Sequence, residues 1–235
     1  MTDSAAYAPV AVVTGAASGI GAAIAAELCD RGWQVAGLDL RPSGWHLSLV
    51  VDVTDPDAVR QAVQAAAQQL GPVQAAVSAA GHYAIVPVAD VSASDWLRML
   101  RVHLGGFMNV VRASAPTMVE RGTGSIVAIT SELAIGGGSG DSHYASAKGA
   151  IIGAVRSLGA ELAPQGVRVN AVAPGPTDTP LLPSDSPWRE PAYLSTLPVG
   201  RLAAPEEVAR TVAFVIEDAD FLVGEIISPN SGAVI

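Results

Sequence analysis

Of the thirteen basic residues in this 235-residue chain twelve are arginine, and the only lysine, Lys148, stands four positions after Tyr144. A chain that uses the planar guanidinium everywhere else, and keeps one compact ammonium, marks a place where the fork cannot replace the point charge. On a helix the two side chains project from one face, a turn apart. A tyrosine hydroxyl, with a pKa of about 10, exchanges protons near neutral pH only where positive charge stabilises its phenolate. A fall of some 2 to 3 units corresponds to about 3 to 4 kcal/mol of such stabilisation. The pair suits general acid–base work on a hydroxyl or carbonyl oxygen.

A second group of residues suits phosphate. Thr14-Gly15-Ala16-Ala17-Ser18-Gly19-Ile20-Gly21 joins the apolar run Val10–Val13 to the Ala-rich stretch Ile20–Asp30, which reads as strand, glycine turn and helix. Glycines there let the backbone approach a pyrophosphate whose charge meets amides at a helix N-terminus. Asp39 follows at the end of the next apolar run, Val35–Leu40, about 20 residues on. A carboxylate there accepts hydrogen bonds from ribose hydroxyls and repels a 2′-phosphate, so NAD is expected over NADP. Arg41, close by, works against that preference.

Positioning these groups takes an alternating framework. After a short turn around Pro42–Gly44, Leu47–Val53 reads as a third strand, so the helix expected between parallel strands is reduced to a loop. A helix Pro56–Leu70, a strand Val73–Ala79, a long helix Ser94–Arg121 and a strand Ser125–Ser131 come next. A helix Ser142–Ala163, a strand Val167–Ala173, a helix Pro205–Glu217 and a last strand Gly224–Ser228 complete the series. Such alternation predicts an α/β fold, a doubly wound parallel sheet of Rossmann type, in one domain spanning residues 1–235. Between Pro174 and Pro198 the chain is too long and proline-rich for an ordinary connection. Residues 176–200 are read as a substrate lid, with Leu181, Leu182, Trp188, Tyr193 and Leu194 closing over an apolar ligand or packing on a partner subunit.

Half of the residues are hydrophobic, yet no apolar run approaches the roughly 18 to 20 residues of a membrane span. No basic residue precedes an apolar stretch at the N-terminus, so a secretory leader is not expected and the cytoplasm is the expected compartment. One cysteine, Cys29, offers neither an internal disulfide nor a metal-ligand cluster, and no metal is expected. A formal net charge of −9 argues against nucleic acid.

Taken in order, these motifs resemble the short-chain dehydrogenase/reductase family along nearly the whole chain. The turn is similar to that family's TGxxxGxG, Asp52-Val53 to its adenine-contacting pair, and Tyr144-Ala-Ser-Ala-Lys148 to its YxxxK. Ser131 stands thirteen positions before Tyr144, the separation of the family's catalytic serine. Asn170 with Pro174-Gly175 and Thr179 resembles the nicotinamide-side turn, and Gly224 through Gly232 its closing strand. The resemblance implies cofactor contacts at Gly15, Ser18, Gly19, Ile20, Gly21, Asp39, Asp52, Val53, Ala80, Gly81, Tyr144, Lys148, Pro174, Gly175, Thr177 and Thr179. It also implies a homo-oligomer, dimer or tetramer, joined through the helices around Ser94–Arg121 and Ser142–Ala163.

Two departures stand out. Ser78-Ala79-Ala80-Gly81 replaces the family's Asn-Asn-Ala-Gly, which should cost hydrogen bonds that brace the sheet. His103, framed by Trp96 and Phe107, occupies the place of the family's catalytic asparagine. The expected catalytic set is therefore Ser131 to orient the substrate oxygen, Tyr144 as acid/base, Lys148 beside it, and His103 to hold a water, carry the proton or fill space. The expected function is hydride transfer between NAD(H) and a small-molecule substrate, a hydrophobic, cyclic or aromatic secondary alcohol or ketone. The short link after Asp39 and the Pro-Gly-Pro-Thr-Asp-Thr run are faintly similar to dehydrogenases of 2,3-dihydro-2,3-dihydroxybenzoate type. Alternatives are a 3-oxoacyl thioester reductase, disfavoured by Asp39, and a non-catalytic NAD-binding regulatory protein, disfavoured by the intact Ser131, Tyr144 and Lys148.

Overall fold

The computed structural model describes residues 8–235; residues 1–7, on which the expectation about a leader rests, lie outside them. The apolar runs become strands β1 (Val10–Thr14), β2 (Gln34–Asp39), β3 (Leu47–Val50), β4 (Val73–Ser78), β5 (Gly124–Ile129), β6 (Val167–Val172) and β7 (Ile226–Ile227). All pair in parallel, in the order β3-β2-β1-β4-β5-β6-β7. The helices are α1 (Gly19–Asp30), α2 (Pro56–Gln69), α3 (Ala93–Leu100), α4 (Gly106–Arg121), α5 (Leu133–Gly136), α6 (Ser142–Leu162), α7 (Pro191–Leu194) and α8 (Pro205–Glu217).

Strand β1 shows why both sheet faces are covered. Val10 and Val12 point into one core with Val59 of α2, Phe107 and Val110 of α4 and Ile151 of α6. Ala11 and Val13 point the other way, into a core with Ile24 and Leu28 of α1 and Val212 and Val215 of α8. A strand buried on both faces must be apolar throughout, which is how β1 reads. The order reverses between β1 and β4, and the crevice beyond their carboxyl ends is where such sheets bind ligands.

No helix joins β2 to β3, as the short link predicts. Trp45 covers the exposed sheet face instead: its ring lies over Gly37 and its indole N–H donates to the Ala16 carbonyl at 2.8 Å. The missing layer is thus replaced by one aromatic side chain anchored to the glycine turn.

Three elements differ from expectation. The ladder of β3 stops at Val50, because β2 ends at Asp39; Val51 makes one last bond to the Asp39 carbonyl and Asp52 turns the chain by accepting from Thr54 N–H. The long helix expected over Ser94–Arg121 is divided by a π-helical turn, Arg101–Gly105, with His103 buried at its centre. Widening of this kind inserts one residue into the ladder and re-aims the side chains it carries. The last strand is only two residues long, since Asn170 takes over its start: Oδ1 accepts from Glu225 N–H at 3.0 Å and Nδ2 donates to the Leu222 carbonyl at 2.9 Å. Asn170 is therefore a buried clamp between β6 and the C-terminal segment.

Candidate active site

The carboxyl ends of the strands open into a cleft of about 950 Å³, lined by every residue expected in catalysis or cofactor binding. At one end lies the glycine turn. Gly15 sits at φ +70°, and a Cβ there would fall 2.9 Å from the Ala80 backbone; a side chain on Gly21 would collide with the Gly15 carbonyl. The N-terminal turn of α1 carries no acidic residue, and Ser18 makes no side-chain cap, so its amides are available to an anion. Asp39 braces the turn, Oδ2 accepting from Ala17 N–H at 3.0 Å and Oδ1 from Arg41 N–H at 3.1 Å. The Arg41 guanidinium reaches Ser18 Oγ at 3.3 Å. These groups fit a dinucleotide whose pyrophosphate lies on the turn and whose adenosine lies between Asp39 and Asp52-Val53.

The bracing thought lost with the two asparagines is supplied from β1. Thr14 Oγ1, fully buried, accepts from Ala79 N–H and Ala80 N–H, both at 3.1 Å. These two bonds brace the segment on β1, with Ser78 and Ala79 standing where the family has asparagines.

The other end is built by β5, α6 and the π turn. Thr130 Oγ1 donates to the Lys148 carbonyl at 2.8 Å, tying the strand end to α6. Lys148 Nζ donates to the Ile129 carbonyl at 2.7 Å and lies 5.6 Å from the Tyr144 ring centroid. Burial drives the Lys148 ammonium down to about 7. Burial, and next the negative field of Glu132, push the Tyr144 phenol up, while the Ser131 hydroxyl draws it back. The direction is opposite to the lowered value expected of an acid/base tyrosine. Lys148, itself held near neutrality and engaged by a carbonyl, does not by itself outweigh the desolvation of the phenol.

His103 lies edge-on to Tyr144, ring centroids 5.4 Å apart, and against Gly81, where any Cβ would strike the imidazole. Its Nε2 is 2.9 Å from the His82 carbonyl, and its Nδ1 is buried and without a partner among the described residues. Burial first, then the Lys148 charge, hold its pKa well below the usual imidazole value. Nε2 is nearer the His82 carbonyl (2.9 Å) than the His82 N–H (3.4 Å), which favours the tautomer that donates through Nε2 and leaves Nδ1 as an acceptor.

Tyr83 and Asp141 had no assigned role in the sequence, and Trp188 was read only as part of the lid. Trp188 Nε1 donates to Tyr83 Oη at 2.9 Å, and Tyr83 Oη donates to Asp141 Oδ1 at 2.7 Å, so the Pro-rich segment is tied to the start of α6. Tyr83 also packs edge-on against Tyr144. Desolvation pushes both the Tyr83 phenol and the Asp141 carboxyl up. Asp141 stands at the N-cap position of α6, but its side chain makes no cap bond and accepts from Tyr83 instead. Leu181, Leu182 and Trp188 line the cleft; Tyr193 lies behind, edge-on to Trp188, and Leu194 is not among the lining residues.

A parallel doubly wound sheet, a glycine turn at its first crossover and a Ser–Tyr–Lys set at its carboxyl edge define a class of nicotinamide-dependent oxidoreductases, and the comparisons agree. The family described as Enoyl-(Acyl carrier protein) reductase matches residues 15–233. Cis-4-hydroxycyclohexanecarboxylate dehydrogenase of Sinomonas cyclohexanicum is 39% identical, over 95% of each chain. A 3-oxoacyl-[acyl-carrier-protein] reductase of Thermotoga maritima is 33% identical, over 96% of this chain and 98% of its own. The solved ligand-free aldohexose dehydrogenase of Thermoplasma acidophilum superposes with a TM-score of 0.89 at 30% identity, over 96% and 93%. This chain belongs to the short-chain dehydrogenase/reductase family. It is an oxidoreductase acting on alcohol and ketone groups with a nicotinamide cofactor.

Among the described residues no helix is long and apolar enough to cross a membrane, and no three His, Cys, Asp or Glu side chains gather as metal ligands.

Proposed function

We propose that the protein interconverts a hydrophobic cyclic secondary alcohol and its ketone, preferring NAD(H). The observation that carries this reading is that Tyr144, Lys148 and Ser131 share one cleft with Asp39 at its far end. Bound nicotinamide supplies the hydride acceptor or donor. Tyr144 takes or gives the hydroxyl proton, and Ser131 holds the oxygen. Lys148 stabilises the phenolate, and an oxidised nicotinamide bound beside it would add positive charge to that of Lys148. His103 Nδ1 accepts from a water beside Lys148. Asp39, fixed by two backbone amides, presents its negative field where a 2′-phosphate would lie, which supports NAD; Arg41 softens the preference rather than reversing it.

Leu181, Leu182 and Trp188 form the apolar lid, and residues 176–200 act as the element that admits and covers substrate. Their apolar character and the relative named as a cis-4-hydroxycyclohexanecarboxylate dehydrogenase support a ring-bearing substrate. The helical faces of α3, α4 and α6 join copies of the chain as a dimer or tetramer, which sedimentation would read. A second reading, reduction of 3-oxoacyl thioesters, is favoured by the Thermotoga relative and by Arg98 and Arg101. These two line the cleft and make no ion pair among the described residues.

Fluorescence titration of NADH and NADPH, followed by turnover on cyclohexanols, cis-4-hydroxycyclohexanecarboxylate and acetoacetyl thioesters, tests these readings together. Tighter NADH binding with oxidation of a cyclic alcohol is expected. Preference for NADPH with thioester reduction would favour the second reading, and binding of neither cofactor would overturn both.

A further inference from the structure

Glu132 is a buried acid in the cleft that the proposed chemistry does not use. It follows the candidate catalytic serine directly, and Ser131 Oγ donates to Glu132 Oε2 at 2.9 Å. The same Ser131 Oγ accepts from Leu133 N–H at 3.2 Å. A hydroxyl has one hydrogen to give and two lone pairs to receive. With its hydrogen committed to Glu132 and one lone pair to Leu133, Ser131 has a single acceptor position left. In this state it can receive a hydrogen bond from an alcohol but cannot donate one to a ketone oxygen.

We propose that Glu132 is a positioning residue that sets the hydrogen-bond polarity of Ser131. As a carboxylate it makes Ser131 an acceptor that selects the alcohol. As a carboxylic acid it donates to Ser131 and frees the serine hydrogen for the ketone. The inference rests on the proposed function, in which Ser131 touches the reacting oxygen.

Burial raises the Glu132 carboxyl to about 7, against opposing bonds from Ser131 and from the backbone at Glu132 and Leu133. Both states are therefore accessible near neutrality. The titratable groups facing it are Asp141, just before α6, whose charge raises it further, Tyr144 of α6 and Tyr193 of α7. Tyr83 and His143 act on Asp141, and Lys148 stands beyond Tyr144. Like neighbours of Glu132 are acids or phenols, so none of them favours its ionised form.

Overall equilibrium fixes the ratio of forward to reverse kcat/KM at a given pH, so no residue can change it and the effect is read in binding. Two non-reacting ternary complexes serve: 4-oxocyclohexanecarboxylate with NAD⁺, and cis-4-hydroxycyclohexanecarboxylate with NADH. Both are titrated across pH about 5.5 to 8.5 in a Tyr144→Phe background, which removes the other hydroxyl expected to bond the substrate oxygen; Lys148, held near 7, titrates alike in both complexes and cancels in their affinity ratio. The ketone should weaken and the alcohol tighten as pH rises through neutrality, their affinity ratio moving by about 10-fold, which is the size of one hydrogen bond. Adding Glu132→Gln should abolish that pH dependence. An unchanged ratio, or the same change in the Gln variant, overturns the inference.

A second measurement needs neither ligand nor turnover. In infrared pH-difference spectra the protonated carboxyl of Glu132, identified by its loss in Glu132→Gln, should disappear near neutrality and shift in frequency in Ser131→Ala. A carboxyl that ionises at the ordinary glutamate pH, or a band indifferent to Ser131→Ala, sinks the inference even in an active enzyme. Absence of turnover on any alcohol with these infrared results intact would instead count against the proposed function.

Discussion

The two ends of the cleft are built on different principles. The adenosine end is made of backbone: Gly15 and Gly21 bring main chains together, Thr14 and Asp39 spend their oxygens on amides, and Trp45 anchors to the Ala16 carbonyl. Its titratable side chain, Asp39, lies at the strand end with two amide partners. The catalytic end is made of side chains withdrawn from water. Tyr144, Lys148, His103 and Glu132 are all buried, and each is pushed toward its neutral form by desolvation. Substitutions at the first end should damage cofactor binding and stability, and substitutions at the second should damage chemistry and change pH dependence.

Tyr144→Phe gives the largest expected effect and the sharpest form of the contrast. Turnover should fall by about 10³-fold or more while NADH affinity and melting temperature stay near wild type, since among the described residues the hydroxyl braces no backbone group and general acid–base catalysis is worth about 10² to 10⁴. Loss of NADH binding in parallel would mean the two ends are not separable. Thr14→Val is its counterpart. Two half-buried amides, Ala79 N–H and Ala80 N–H, would lose their shared acceptor. The cost should be about 2 to 4 kcal/mol, lowering the melting temperature by about 5 to 10 °C. If thermal denaturation moved by only a degree, the claim that Thr14 replaces the two asparagines would fail.

Stability against pH probes the catalytic end without any ligand. Glu132 keeps its proton up to about pH 7 in the fold, against an ordinary value of 4.5. The folded chain then binds more protons across that window, and this group's contribution falls as pH rises through it. Lys148 has the opposite sign. Ordinarily protonated to 10.5 but only to about 7 in the fold, it adds stability as pH rises from about 7 to 10.5. The two should leave a minimum near neutrality. Glu132→Gln should flatten the acidic side by up to about 3 kcal/mol and leave the alkaline rise in place. A melting profile unchanged between pH 5 and 7 would show that Glu132 titrates normally.

Asp39→Ala should act only at the adenosine end. NADH affinity should weaken by about 10- to 30-fold and NADPH affinity improve, as the charge opposing a 2′-phosphate disappears and Arg41 remains. Equal losses for both cofactors would reduce Asp39 to a brace for Ala17 and Arg41.

The same contrast explains what could be read from the sequence. Backbone-determined features carry fixed spacing: the glycine turn, Asp39, the alternating elements and Tyr144 with Lys148 one turn on were legible because period and register alone place them. The short link after Asp39 was legible as a missing helix, though not that Trp45 fills the space. Long-range side-chain partnerships were not legible. Thr14 meets residues more than sixty positions away, and Trp188 meets Tyr83 more than a hundred away; no local pattern encodes such a meeting. The π turn was missed because Arg101–Gly105 keeps a helical apolar spacing on both sides, and only tertiary packing against Gly81 and Val53 shows the extra residue. The upward shift of Tyr144 was missed for a related reason, since burial depth is invisible to a motif.

The smallest expected effect falls on His103. If the ring is neutral and serves as an acceptor at Nδ1, asparagine can offer its carbonyl oxygen at a similar place. His103→Asn should then keep turnover within a few-fold and leave the pH profile unchanged, because the group it removes does not titrate in the working range. His103→Leu, of similar bulk but without an acceptor, should lose about 10-fold, the order of one buried hydrogen bond. Equal activity in both variants would make His103 space-filling against Gly81. A pH profile altered by His103→Asn would show that the imidazole does gain a proton during turnover, which the buried environment beside Lys148 opposes.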